Sequence, residues 1–332
     1  MPNRRGFFKE LLREVAGVAQ ELSSIAQPAP EEPEPWQPTP PVPARPATAR
    51  VEDDELLALC GEAGLAHRAD DIRRTVRASL RLTRGAGDGR SRLGGSPDLP
   101  AGFVWPTWQD RELGFLGQVD LADVAALDPA LPLPRDRLLL FFYDLAGRPT
   151  GLDPGDRGSC RVVLVDAAAD ELLPDELHEP ILRPLPVVAS RELMLPSAWS
   201  FHAEHLELSA DEMDAWDILR ERLAQAQGLE LEESIPDRLA LHRLLGYQDE
   251  IGREVELDCE LAASGLDADD TSVYWESRSE HEEAAREWRL LFQLSADEDL
   301  GTPAEDFDRL FICIREADVR AAKLDGAWAI VR

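Results

Sequence analysis

The sequence predicts an α+β protein in which mixed, mainly antiparallel sheets come from two similar half-domains with flanking helices. Residues 114–121 and 137–143 are short apolar runs next to turn-forming residues, which is the pattern of strands. Residues 209–227 instead carry apolar side chains at helical spacing, between a serine that can cap a helix and a glycine that ends one. Strands and helices therefore share one folded body, predicted to span residues 51–332.

A set of motifs in the first part of this body returns, in the same order, in the second part. An arginine opens a glycine-bearing corner that ends in aspartate, an apolar strand then carries one glutamine, and an apolar run follows Asp-Arg-Leu. The matched segments are 92–98 with 243–249, 116–119 with 291–294, and 136–138 with 308–310. Because a solenoid needs at least three repeats, two copies predict a duplicated half-domain, with halves at about 75–200 and 235–332 that share one core. Chance similarity between strand-like runs is the alternative.

The other elements follow from local patterns. Residues 53–65 and 318–324 are predicted to form short helices, and residues 75–83, 161–165, 288–294 and 310–314 are predicted to form strands. The prolines between residues 172 and 196 are expected to break any long element there.

The net charge of −30 is extreme for 332 residues. Such a charge repels phosphate backbones, so nucleic acid and anionic membranes are not expected as partners of the body. A basic protein partner, a bound cation or a cytoplasm of high salt concentration would compensate this negative charge. The simpler interpretation is that acidic surface residues only confer solubility.

The four cysteines, Cys60, Cys160, Cys259 and Cys313, are widely spaced and form no Cys-x-x-Cys pair. This spacing fits a reducing compartment better than a disulfide framework, and it offers no zinc site. We therefore expect a cytoplasmic protein. Cys259 and Cys313 lie in strand-like segments and are expected to be small core residues.

The N-terminus is predicted to be an amphipathic helix over residues 1–26, tethered by a proline-rich linker over residues 27–50. Its first residues resemble a twin-arginine signal, but charged residues occupy the place of the apolar region, so export is not expected. The helix could dock on its own domain, a membrane surface or a partner. Its mixed charges favour a contact with a partner protein. No transmembrane segment is predicted.

The sequence offers few groups for catalysis. His202 and Glu204 match half of a nucleotide-deaminase zinc signature, but the Pro-Cys-x-x-Cys half is absent. The acidic run over residues 297–308 could hold a hard cation, although its spacing fits a solvated loop better. Phosphate-binding glycine loops and the Gly-x-Ser-x-Gly nucleophile motif are missing. The sequence thus predicts no catalytic residue, no metal site and no cofactor.

Several blocks resemble the YwqG-like family of uncharacterised bacterial proteins. These blocks are GGSPDLPAGFVWP, LGFLGQVDL, LPRDRLLLFFY, HRLLGYQD, WRLLFQLSADED and RLFICIREADV, within residues 90–332. The resemblance implies an α+β protein, cytoplasmic, with no established activity, whose relatives have been suggested to be immunity proteins beside secreted toxins. Two features depart from the family pattern. Gln248 stands where the family usually has proline, and Gly301-Thr302-Pro303 replaces a Gly-Asp pair.

Two functions from different classes follow. The favoured one is a non-catalytic protein-binding module, with a toxin as partner if the resemblance holds. The alternative is a small-ligand-binding protein or enzyme with a site between the two half-domains. The residues predicted to converge there are Arg92, Trp105, Gln118, Arg243 and Gln293. A structural role, in which both glutamines tie loops to strands, is the favoured interpretation of these residues.

Overall fold

The computed structural model describes residues 51, 53–85, 89–128, 130–166, 172–175, 177–229, 242–249, 253–302 and 309–332. All of them belong to one unit, Pro40–Arg332. The predicted N-terminal helix and linker lie outside the described residues. None of the helices in the described ranges is long and apolar enough to cross a membrane.

Helices and strands alternate irregularly along the described chain. The helices are α1 (Asp53–Glu62), α2 (Ala69–Thr75), α3 (Leu121–Ala125), α4 (Phe201–Glu204), α5 (Ala210–Ala226), α6 (Val255–Ala263), α7 (Thr271–Ala285) and α8 (Glu316–Arg320). The strands are β1 (Arg77–Arg84), β2 (Arg92–Leu93), β3 (Asp98–Leu99), β4 (Thr107–Trp108), β5 (Arg111–Glu112), β6 (Gly114–Asp120), β7 (Arg137–Tyr143), β8 (Cys160–Asp166), β9 (Leu173–Pro174), β10 (Leu185–Met194), β11 (His242–Leu245), β12 (Trp288–Ser295), β13 (Arg309–Arg315) and β14 (Trp328–Val331). The predicted α+β class is confirmed.

Ten strands form one antiparallel sheet in the order β14-β13-β12-β11-β1-β10-β2-β6-β7-β8. Reversing this order exchanges the two halves strand by strand, with β1 and β10 as the central pair. The first copy consists of β1, β2, β6, β7 and β8, and the second copy consists of β10 to β14. The first strand of each copy pairs with the other copy, because β1 pairs with β11 and β10 pairs with β2. The sheet therefore consists of two similar half-domains that exchange their first strands.

The strand registers show the same approximate twofold symmetry at the level of residues. Arg92 pairs with Gln118 on one side and Arg243 with Gln293 on the other. A β-bulge interrupts β6 at Leu116 and β12 at Leu291, two residues before the glutamine in each copy. Bulges fix register and local twist, so their common position supports duplication over chance similarity.

The structure corrects two details of the predicted repeat. Gln118 pairs with Leu140 and Gln293 with Phe311, so the apolar runs align one residue away from the match made in sequence. The sequence match would align outward-facing Leu140 with inward-facing Ile312, which strand alternation forbids. The second copy also begins earlier than predicted, at β10 rather than near residue 235.

Two local predictions were wrong. The proline-containing segment 172–196 includes β10, a ten-residue strand. Its only proline is Pro186, the second residue of the strand, where it interrupts the hydrogen-bond ladder least. Cys259, expected in a strand, lies in α6, where every residue from Val255 to Ala262 is buried. Full burial hides the helical period from the sequence pattern.

One face of the sheet encloses the main core. The sheet curls so far that Phe141 of β7 and Phe292 of β12 stack with ring centroids 4.2 Å apart. Its two ends also approach each other, because Val331 of β14 donates a backbone hydrogen bond to Thr150 of the first half. Burial of this continuous apolar face is the main source of stability.

The outer face is covered differently in the two halves. In the second half, α6 and α7 cover it with a core that includes Tyr274 and Trp288. In the first half, the loop between β2 and β6 does so, using Phe103 and Trp105. Helices α1, α2 and α5 form a further core around Trp216. The predicted serine cap of α5 is present as a capping box.

Candidate functional site

Three of the residues singled out by the repeat form a cluster on the outer face of the first half-domain. Gln118 is fully buried; its Oε1 accepts from the Asp98 backbone at 2.8 Å, and its Nε2 donates to Asp98 Oδ2 at 2.8 Å. Arg92 Nη2 donates to Asp98 Oδ1 at 2.7 Å. Burial raises the pKa of Asp98, but the hydrogen bonds from Arg92 and Gln118 outweigh it and hold the pKa below its usual value. We call these residues the first triad.

The second half-domain repeats this cluster with Arg243, Asp249 and Gln293, the second triad. Gln293 Oε1 accepts from the Asp249 backbone at 3.0 Å, and its Nε2 donates to Asp249 Oδ2 at 2.6 Å. Arg243 Nη2 reaches both carboxylate oxygens of Asp249, at 3.1 and 3.0 Å. A second carboxylate, Glu192, accepts from Arg243 Nη1 at 2.9 Å.

Each triad holds a sharp corner of the chain against the sheet. The two residues after Arg92 and Leu93 are Gly94 and Gly95, with φ of 58° and 67°, and the equivalent residues are Leu245 and Gly246, with φ of 60° and 80°. Left-handed backbone costs a leucine about 1–2 kcal/mol, so strong bonds must hold the second corner. Fixing these corners is a sufficient role for both glutamines.

The predicted site residues thus form two clusters instead of one. Strands β1 and β10 lie between β2 and β11, so two strands separate the triads. Trp105 is apart from both triads. It donates from Nε1 to the backbone of Leu113 at 2.8 Å and stacks on His178 with ring centroids 3.8 Å apart.

Trp105 lines a cavity of about 290 Å³ beside the first corner, which we call the first corner cavity. Its wall includes Gly95, Phe115 and the acidic residues Glu112 and Glu179. The twofold symmetry relates it to a cavity of about 440 Å³ beside the second corner, where Gly246 and Leu290 replace Gly95 and Phe115. This second corner cavity contains arginines in its wall, among them Arg77. Duplication has therefore produced two equivalent cavities with different charges.

The histidine of the half-matched zinc signature, His202, is part of the packed fold. His202 is buried, and its Nε2 lies 2.7 Å from Glu256 Oε1. Burial lowers the pKa of His202 although Glu256 favours its charged form. Nowhere in the described part of the chain do three or more histidines, cysteines, aspartates or glutamates gather as metal ligands.

The acidic run and the cysteines are also engaged in the fold. Asp297 accepts from the backbone of Asp299 and Leu300, and Asp299 pairs with Arg84. Residues 303–308 of this run lie outside the described residues. The four cysteines are buried, and burial raises the pKa of Cys160 to about 12. A thiol with so high a pKa is a poor nucleophile at neutral pH.

A groove between the start of α5 and α7 exposes the largest aromatic side chains of the described surface. Trp199 is 77% exposed and Trp275 is 59% exposed, and both line a cavity of about 480 Å³. Glu204, Glu207 and Glu254 contribute carboxylates to its wall. We call this surface the tryptophan groove. Exposed tryptophans rimmed by polar groups are typical of binding surfaces.

The two arginines of the tryptophan groove are already paired. Arg278 contacts Glu204 at 3.0 Å and Glu254 at 3.3 Å, and Arg253 contacts the buried Asp258 at 3.1 Å. Glu207 has no ionic partner within the described residues. The charge that the groove leaves uncompensated is therefore negative.

The fold and these sites define a duplicated α+β protein with surface grooves and structural ion pairs. Residues 91–332 match the family described as Domain of unknown function (DUF1963), which is most of the chain. The chain belongs to this family. No curated protein matches it at a significant level.

The predicted set of site residues left out several members of these sites. The repeat includes Asp98 and Asp249, six residues after the two arginines, and this shared spacing could have marked them as members of the triads. No comparable pattern marks Trp199, Trp275 or Arg77, because each depends on chain segments that are distant in sequence.

Proposed function

We propose that this protein is a non-catalytic protein-binding module that takes a basic partner protein at the tryptophan groove. The observation that carries this proposal is the pair of exposed tryptophans, Trp199 and Trp275, in a groove with surplus negative charge. Large exposed apolar side chains cost solubility unless a partner covers them.

The chemistry of the groove favours lysine or arginine side chains in the partner. Arg278 already lies 5.8 Å from the Trp275 ring centroid, in the manner of a cation–π contact, so the ring accepts a cation in this position. Glu207 and the partly exposed Glu204 would attract further positive charge. The net charge of −30 would also speed the encounter with a basic partner.

The finer assignment follows from the sequence resemblance and is part of the same proposal. If the family described as DUF1963 includes the YwqG-like proteins, a basic toxin is the natural partner, and this chain acts as an immunity-type protein in the cytoplasm. The predicted N-terminal helix would provide a second contact to that partner.

The test compares binding by the wild-type chain with binding by Trp199→Ala/Trp275→Ala. Basic proteins encoded beside the gene are purified and titrated into each chain by calorimetry. Loss of two hot-spot tryptophans should weaken binding by about thirtyfold or more, and added salt should weaken wild-type binding.

A matched control removes apolar groups elsewhere on the surface. Val104 is 85% exposed and Ile218 is 45% exposed, and neither lines the groove. Val104→Ala/Ile218→Ala should bind as the wild type does. Equal binding by all three chains, or no binding of any basic neighbour, would contradict the proposal.

A further inference from the structure

The second corner cavity lies between the two half-domains. The loop around Asp128 and Pro132 contributes one wall, and β1, the second corner and α8 contribute the others. Its volume of about 440 Å³ is in the range of small-molecule sites, which is about 300–1,000 Å³. Ala78, Ala130, Leu245, Leu290 and Val319 make much of its surface apolar.

Arg77 is the unusual residue of this cavity. No carboxylate of the described residues lies within ion-pair distance of it, although the chain has a large excess of acids. Its guanidinium carbon lies 4.1 Å from the ring centroid of Tyr247, and its Nη1 is buried without a hydrogen-bond partner. Burial lowers the pKa of Arg77, although Tyr247, Glu256 and Glu316 favour its charged form. A buried, unpaired charge is costly unless something else compensates it.

The other charges of the cavity are compensated. Glu316 forms ion pairs with both Arg289 and Arg320. Asp128 accepts from the backbone of Ala130 at 3.1 Å. Arg77 is therefore the one cation of the cavity wall that lacks an anionic partner among the described residues.

We propose that the second corner cavity binds a small monocarboxylate with an apolar body, whose carboxylate pairs with Arg77. A planar guanidinium pairs well with a carboxylate, and the apolar walls accommodate the rest of the ligand. A phosphate dianion fits less well, because Glu316 and Asp128 would repel a second negative charge. This site is separate from the tryptophan groove, so either proposal can fail without the other.

A methionine variant of Arg77 should still fold. Methionine keeps an unbranched apolar stem that can pack along the apolar wall of the cavity, and it removes the Nη1 group that is buried without a hydrogen-bond partner. Arg77 makes no ion pair within the described residues, so none is lost. We therefore expect Arg77→Met to fold, with stability close to that of the wild type.

The experiment uses defined probes and the full chain. Benzoate, phenylacetate and octanoate are titrated into the wild type and into Arg77→Met, with binding followed by calorimetry and by shifts in melting temperature. Benzamide, benzylamine and phenyl phosphate serve as neutral, cationic and dianionic comparisons. Arg320→Met is the control variant, because its arginine lines the same cavity but is paired.

We expect at least one monocarboxylate to bind the wild type and Arg320→Met, and to bind Arg77→Met about tenfold or more weakly, as for a lost charge-assisted hydrogen bond. The matched amide and amine should bind more weakly than the carboxylate. Equal carboxylate binding by Arg77→Met, stronger binding of phenyl phosphate, or no binding of any carboxylate at millimolar concentration would overturn the proposal. A destabilised Arg77→Met would also count against it, because Arg77 would then be structural.

Discussion

Replacing Gln118 by methionine tests whether the first triad holds the corner in place. The side chain of Gln118 is fully buried and makes three hydrogen bonds of 2.8 Å, to the Asp98 backbone, the Asp98 carboxylate and the backbone of Arg90. Methionine has a similar length and can make none of them. The variant therefore isolates the hydrogen bonds from the packing.

The expected loss follows from the groups left behind. The Asp98 backbone N–H would be buried without an acceptor, at a cost of about 1–3 kcal/mol, and the carboxylate would lose a charge-assisted bond of about 1.5–3 kcal/mol. The Arg90 carbonyl keeps a donor in Arg92, at 3.3 Å, and should add little. We expect Gln118→Met to lower the free energy of unfolding by about 3–5 kcal/mol.

Urea unfolding, followed by tryptophan fluorescence, measures this loss. Gln225→Met changes the same residue type on the exposed surface of α5 and should stay within about 0.5 kcal/mol of the wild type. In an Asp98→Ala background, Gln118→Met should cost about 1.5–3 kcal/mol less, because the carboxylate that accepts from Gln118 is gone while the backbone N–H of residue 98 remains. A loss below about 1 kcal/mol, or additive effects in the double variant, would refute the reasoning.

Three further predictions concern single residues. Gly94→Ala should destabilise the fold strongly, because the new Cβ would lie 2.1 Å from the carbonyl oxygen of Arg183. Gly228 also has a positive φ but has open space around it, so Gly228→Ala should cost only about 1–2 kcal/mol in urea unfolding. Burial raises the pKa of Asp258 from its ordinary 3.8 to about 6, although two nearby arginines oppose this shift. The protonated Asp258 therefore contributes to the free energy of unfolding below pH 4, and this contribution is lost as the pH rises through 6. The stability of Asp258→Asn relative to the wild type should then rise by about 2–3 kcal/mol from pH 4 to pH 7, and a constant difference would contradict this. Ser209→Ala removes the capping box of α5 and should cost about 1 kcal/mol in thermal unfolding, whereas no loss would show that the cap is dispensable.

The strands and the duplication were predictable because their signals are local. Residues 114–121 and 137–143 were predicted as strands, and the structure has strands at Gly114–Asp120 and Arg137–Tyr143. Each run is apolar, short and bounded by turn residues, so its pattern needs no distant contact. The glutamines were recognisable because a lone amide in an apolar strand must find hydrogen-bond partners nearby.

Other elements depended on distant parts of the chain. Helix α6 carries Glu256, Asp258 and Glu260 on buried positions, where distant histidine and arginine partners make their burial tolerable. Acidic and apolar residues alternate in this part of the sequence, and this alternation predicts a strand. The exchange of β1 and β10 between the copies is equally invisible, since strand pairing follows contacts far apart in sequence.

The sequence by itself determined the α+β class and the two copies, because hydrophobic alternation and turn chemistry act over a few residues. Tertiary structure alone decided that the two triads stay apart and that Trp199 and Trp275 share a groove. It also decided that Arg77 lines a cavity with no ion-paired carboxylate among the described residues. Those features follow from the order of the strands in the sheet and from the helices that pack beside it. Both bring together residues that no local pattern connects.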